Sequence, residues 1–235
     1  MEKKERALRI IEALKADYPE ALCALHSQKD YELMIAVRLS AQCTDERVNL
    51  ITPALFARFP TLESFAEADV TEVEELVRSC GFYKHKARDI VAACRMLLTD
   101  YGGRVPDSME ELLKLPGVGR KTANVVLAFS FGVPAIPVDT HVFRVANRLG
   151  LSDALTVEET EKQLMALIPR DTWSQAHHWL IYHGRRVCHS QKPDCESCAL
   201  RSDCKAAREG RMINPKAEAK KRAQARKARA ESASV

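Results

Sequence analysis

The chain has 235 residues, of which 46% are apolar and 29% charged, with a formal net charge of +4. That composition suits a globular protein of one or two domains. The longest uncharged apolar stretch, Asn124–Val138, is broken by Gly132, Pro134 and Pro137, which excludes a membrane span. Glu2, Glu5, Glu12 and Asp17 are wrong for a signal or transit peptide, so a soluble, cytoplasmic protein with no membrane partner is expected. The charge is unevenly placed. From Arg211 onward there are eight basic and two acidic residues, whereas residues 1–210 carry a net charge of −2. Such a tail suits attraction to phosphate, or it is a solvated disordered end.

Apolar residues recur at helical spacing along most of the chain, and no long alternating run points to a sheet. The expectation is an all-α protein of about ten short helices. Tyr31–Leu39 is apolar on nearly every side and reads as a core helix. Val48, Ile51, Leu55 and Phe59 share one helical face, as do Ala87, Ile90, Val91, Cys94 and Leu97. Pro53, Pro60, Gly81, Gly102–Gly103, Pro106, Pro116, Gly132, Pro134, Gly150 and Pro169 mark stops. Cys23, Cys43, Cys80 and Cys94 fall in helix-like segments and read as small buried apolar residues.

Pro106-Asp107-Ser108, followed by Glu110-Glu111, is a capped helix start. Pro116 ends that helix by about Leu115. Gly117 and Gly119 then permit a tight hairpin, and a second helix starts near Arg120. The first amides of that helix lack intrahelical partners and carry partial positive charge. A phosphate can be gripped there without any base being read; the plainer alternative is a structural helix-turn-helix corner. Lys121 lies in the first turn. A neutral amine can attack a sugar C1′ and form a Schiff base, but a free lysine has a pKa near ~10.4. The helix N-terminus and desolvation both disfavour its ammonium form. The alternative is a solvated lysine that binds phosphate. Asp139, ahead of Thr140-His141-Val142, reads as an N-cap.

Cys188, Cys195, Cys198 and Cys204 give C-x6-C-x2-C-x5-C within 17 residues. Four thiolates this close imply a metal centre in a reducing compartment. Zinc is one chemical option, although structural zinc sites usually pair their ligands as two short units and this set has only one. After Cys204 the composition shifts to an Ala/Lys/Arg-rich tail.

LPGVGRKTANVVL at 115–127, VDTHVFRVANRLG at 138–150, HHWLIYHGRRVC at 177–188 and the cysteine spacing together resemble the endonuclease III family of base-excision DNA glycosylases. The likeness covers residues 1–210 in order. It implies a two-lobed helix-hairpin-helix DNA glycosylase fold. A six-helix bundle domain would span 23–132, an iron–sulfur cluster domain 1–22 with 133–211, and a basic disordered tail 212–235. It implies a bifunctional glycosylase and abasic-site lyase that removes oxidised pyrimidines from duplex DNA, acting as a monomer, with DNA across the cleft between lobes. Lys121 would be the catalytic amine and Asp139 the catalytic carboxylate. Gly117, Val118, Gly119 and Arg120 would hold the backbone. Gln42 and Phe82 would fill the gap left by the extruded nucleotide, the aromatic departing from the family's usual aliphatic wedge. His141 would lie near that nucleotide and Lys192 would meet phosphate. Cys188, Cys195, Cys198 and Cys204 would hold a [4Fe–4S] cluster.

Three rival readings fit the sequence less well. A mismatch adenine glycosylase would need a glutamate in the helix before Gln42, and Leu33–Thr44 has no acidic residue. A non-catalytic DNA-binding module would leave Lys121 and Asp139 without a role. An iron–sulfur electron carrier would leave most of the chain unexplained.

Overall fold

The computed structural model describes residues 2–215 together with 217, 218, 220 and 224. Most of the 212–235 tail therefore lies outside the described residues. Within them the protein is all-helical, with twelve α-helices, one short 3-10 turn and no strand. The chain forms two compact units, a continuous one of Cys23–Ala135 and a discontinuous one of Met1–Leu22 with Ile136–Val235.

After α1 (Glu2–Asp17) the chain enters the continuous unit. There it forms α2 (Asp30–Leu39), α3 (Asp45–Arg58), α4 (Leu62–Ala66), α5 (Val70–Leu76), α6 (Tyr83–Tyr101), α7 (Met109–Leu112) and α8 (Arg120–Ser130). In the discontinuous unit it continues with α9 (Thr140–Leu149), α10 (Val157–Leu167), a 3-10 turn at Arg170–Thr172, α11 (Trp173–Arg186) and α12 (Lys205–Arg208).

In the continuous unit α6 packs against α4, α5 and α2, and α2 also packs against α8. The face predicted for α6 is buried in full, from Ala87 to Leu97. Leu33–Val37 and Leu39 bury nearly all round α2, as its uniform apolarity requires. Burial of each large aliphatic here is worth roughly 1.5–3 kcal/mol. Thr44, Thr61, Asp69 and Ser108 cap the starts of α3, α4, α5 and α7 by accepting from backbone amides. Two expectations need correction. Pro53 does not stop a helix but lies inside α3; it faces solvent, where water can take the carbonyl its ring deprives of a partner. The helix after Ser108 ends at Leu112 rather than Leu115, and a turn carries the chain to Pro116.

The discontinuous unit is held by long-range bonds. Ala7, Ile10, Ile11 and Leu14 bury one stripe of α1, which packs on α11. The Arg6 guanidinium donates to the carbonyls of Leu149 at 2.6 Å, Gly150 at 3.0 Å and Asp203 at 2.8 Å. These bonds pin the first turn of the chain to the end of α9 and to the segment before α12. Of the four scattered cysteines, Cys80 and Cys94 are buried as expected, but Cys23 and Cys43 are only half-buried; only Cys94 lies in a helix, the other three in connecting segments.

Candidate active site

The hairpin between α7 and α8 is built around one obligatory glycine. Gly117 has φ +73°, a left-handed conformation that only glycine adopts at no cost. A Cβ there would lie 2.7 Å from Arg38 Nε and from Asp89 Cβ. Those two side chains form an ion pair beneath the turn, with Arg38 Nε donating to Asp89 Oδ2 at 2.9 Å. Val118 is buried in the core and its amide donates to the Leu115 carbonyl at 3.1 Å. Its side chain anchors the hairpin in the core. Gly119 has ordinary φ as the N-cap of α8, and nothing lies within 4 Å of where its Cβ would be. Glycine here leaves room for a ligand instead of making the turn.

As N-cap, Gly119 has no side chain with which to cap α8. The first amides of α8 lie at the positive end of its dipole and get no cap from this residue's side chain. Arg120 is exposed and Lys121 half-buried beside this end. Lys121 is near enough to the half-buried Cys23 thiol for its charge to act on it.

Gln42 and Phe82 come together in the same unit. Gln42 lies in the turn after α2 and Phe82 is the N-cap of α6. A Cβ at Gly81 would stand 3.5 Å from the Gln42 carbonyl oxygen, so the two turns touch. Both residues have positive φ, 54° for Gln42 and 59° for Phe82. That conformation costs roughly 1–2 kcal/mol per residue outside glycine, and it is rare for a bulky side chain. Phe82 is also 63% exposed. An aromatic held in strain and in water is being presented outward.

Asp139 is the N-cap of α9, and both of its cap bonds use one oxygen. The amides of His141 and Val142 each donate to Oδ1 at 2.8 Å, so the cap makes no use of Oδ2. His141 follows in the first turn of α9, where Arg144 donates from its guanidinium to His141 Nδ1 at 3.2 Å. Burial holds the His141 pKa below its usual value; Arg144 and Arg185 add to that, against the opposing charge of Asp139. A cavity of this unit is lined by Thr140, His141, Arg144, Arg148 and Ser190 among others. Lys121 and Asp139 thus belong to different units, each placed at the start of its own helix.

The four late cysteines lie in the loop between α11 and α12. Cys188, Cys198 and Cys204 pack against the core of the discontinuous unit, while Cys195 is exposed. Burial raises the Cys198 and Cys204 thiols, and the charges of their partner cysteines raise them further. All four sulfurs therefore lie in one another's field. Among the described residues no set of His, Cys, Asp and Glu closes tightly enough to hold a single metal ion. Lys192 lies between the first two cysteines, exposed and with φ 48°.

Arg148 was not singled out in the sequence, yet it organises this loop. It is 3% exposed and donates to the carbonyls of His189, Ser190 and Ile213, with a further N–H 3.4 Å from Cys188 Sγ. Arg144, one turn earlier, donates to the carbonyls of Gly184 and Cys188. A charged residue at a position that the apolar spacing of Val145, Ala146 and Leu149 marks as inward was the signal available.

The profile of the HhH-GPD superfamily base excision DNA repair proteins matches residues 35–170. The chain is 50% identical over 206 residues to an endonuclease III of Synechocystis, covering 87% of this chain and 94% of that one. It is 46% identical over 200 residues to the Bacillus subtilis endonuclease III, covering 85% and 90%. Among solved structures it is similar to a trapped endonuclease III–DNA covalent intermediate, with TM-score 0.84, 45% identity, and 88% of this chain and 98% of that one covered. The chain belongs to the endonuclease III family, the base-excision DNA glycosylases with abasic-site lyase activity.

Proposed function

We propose that this enzyme excises oxidised pyrimidines from duplex DNA and cuts the resulting abasic strand through Lys121. The observation that carries the reading is the uncapped N-terminus of α8, opened by Gly119, with Lys121 half-buried in its first turn. The amides there hold a phosphate, and the same turn presents the amine. Lys121 Nζ attacks C1′ as the bond from C1′ to the base nitrogen breaks, and the base leaves with a proton. The amine loses a proton and the C1′–O4′ bond breaks, O4′ taking a proton as the ring opens; the iminium so formed makes the C2′ proton acidic. Its loss expels the 3′ phosphate and cuts the strand by β-elimination. Asp139 Oδ2 stabilises positive charge on the sugar and takes part in proton transfer. Gln42 and Phe82 enter the stack as the nucleotide leaves it, and the strained, exposed Phe82 supports this role. His141 and Lys192 are assigned to contacts with the DNA. The solved relative trapped as a covalent intermediate on DNA supports a covalent enzyme–DNA step.

Cys188, Cys195, Cys198 and Cys204 are proposed to hold a [4Fe–4S] cluster. The donor set fits it: four thiols in one another's field, backed by a buried arginine. The cluster would supply cohesion to a loop that has little apolar core of its own, and it takes no part in the sugar chemistry.

The test is borohydride trapping on a duplex with one thymine glycol, with Lys121→Gln alongside. Trapping by the wild type only is expected. A trapped adduct that persists in Lys121→Gln would overturn the assignment of the amine. Tight binding of the duplex without any trapping by wild type would overturn this lesion class.

A further inference from the structure

The two turns that carry Gln42 and Phe82 are joined underneath by a pair of cysteines that the proposed reaction does not use. Cys43 directly follows Gln42, and Cys80 precedes Phe82 by two residues. Their sulfurs stand 3.5 Å apart, although the residues are 37 apart in sequence. Both lie outside regular helix, Cys43 in the turn after α2 and Cys80 in the turn before α6. Cys43 is half-buried, whereas Cys80 is buried. A disulfide needs its sulfurs at about 2.05 Å. The remaining gap of roughly 1.5 Å is within the reach of side-chain rotation in two turns.

Two basic groups stand near the pair. The Lys86 ammonium is buried, donating to the Leu39 carbonyl at 2.8 Å, and its field and that of Arg47 both act on Cys80. Burial first, then the Cys43 sulfur, raises the Cys80 thiol. Cys80 is thus the poorer first nucleophile, and the less buried Cys43 is the one to meet an oxidant.

We propose that Cys43 and Cys80 form a peroxide-responsive thiol pair, whose disulfide ties the Gln42 turn to the Phe82 turn and slows excision. The oxidant is a hydroperoxide. Cys43, as thiolate, attacks one peroxide oxygen, the O–O bond breaks, and the other oxygen leaves with a proton as water or an alcohol. The product is a sulfenic acid at Cys43. The Cys80 sulfur then attacks the Cys43 sulfur; the S–S bond forms, the S–O bond breaks, and the hydroxyl leaves as water with the Cys80 proton. Two thiols lose two electrons and two protons, and one peroxide is reduced. A dithiol reductant reverses the change. The bridge needs no DNA. Its effect on excision rests on the roles proposed for Gln42 and Phe82, because a tie beneath both turns holds them in their unbound spacing.

The test treats the full-length, metal-loaded protein with graded hydrogen peroxide, followed by peptide mapping without reduction and an excision assay on thymine glycol duplex. A cross-linked peptide containing Cys43 and Cys80 is expected, lighter by two hydrogens. With it goes a fall in excision rate of about tenfold or more, restored by dithiothreitol. Cys43→Ser, which alters a half-buried position, keeps the four late cysteines. Peroxide damage there appears equally in both proteins, and only wild type should show the reversible loss. Absence of the cross-link overturns the proposal, and so does a cross-link that leaves the rate unchanged. Inactivity of the reduced wild type on the lesion would count against the proposed function instead, and the peptide map alone would then decide the bridge.

Discussion

Both amides capped by Asp139 bond to Oδ1, so an amide in place of the carboxylate can keep the cap while losing the charge. Asp139→Asn is expected to change stability by less than about 0.5 kcal/mol, since asparagine caps as well as aspartate. Excision should nevertheless fall by about a hundredfold or more, the usual loss when charge stabilisation is removed from a transition state. Thermal melts and single-turnover excision on one preparation check the two halves. His141 carries a pH dependence. Burial, with Arg144 and Arg185, holds its folded pKa below 6.5, and the unfolded chain therefore binds the proton more readily. The neutral form is the native one, so its contribution is fully present above about pH 6.5 and is lost as pH falls below that. Urea midpoints should accordingly drop more between about pH 7.5 and 5.5 for wild type than for His141→Gln.

At the scale of elements, the hairpin and the two touching turns are short segments braced by residues from other helices. Gly117 rests on the Arg38–Asp89 pair from α2 and α6. Lys86 from α6 bonds the end of α2 just before Gln42. The PGVG signal was legible because it is local. The bracing was not, because its partners are 51 and 47 residues apart. The cysteine loop shows the same division: its spacing is written in one stretch, but Arg148, which bonds three of the carbonyls around it, comes from α9. Arg148→Ala leaves those carbonyls without their donor, at about 1–3 kcal/mol each where they are buried. The expected result is a protein with less bound iron per chain and a lower melting temperature. Iron quantitation against protein mass checks it, and full iron content in the variant would refute the bracing role.

For the whole molecule, each unit has a core of its own, and the units differ in how the chain supplies it. The continuous unit is made of consecutive helices whose 3.6-residue periodicity could be read directly, as in α2 and α6. The discontinuous unit joins α1 to helices more than a hundred residues later. Arg6 reaches Asp203 across 197 positions, and no local pattern announces such a contact. Charge also acts at this scale. The segment after Arg211 holds most of the excess positive charge, and charge neutralising phosphate makes binding depend steeply on salt. Deleting residues 216–235 is expected to weaken binding to undamaged duplex at low salt and to flatten the slope of affinity against salt, with little change in single-turnover excision. Titration by fluorescence anisotropy at several salt concentrations measures this.

Periodicity, punctuation and cysteine spacing were enough to read an all-helical chain, the hairpin with its lysine, the capping aspartate and the four-thiol loop, because each is recorded in residues close together along the chain. Packing alone decided that the Val118 side chain anchors the hairpin in the core, that Gly117 is required by an ion pair below it, that Pro53 sits inside α3, and that Cys43 meets Cys80. Those outcomes depend on which distant side chains fill the same space, and short-range spacing does not encode that.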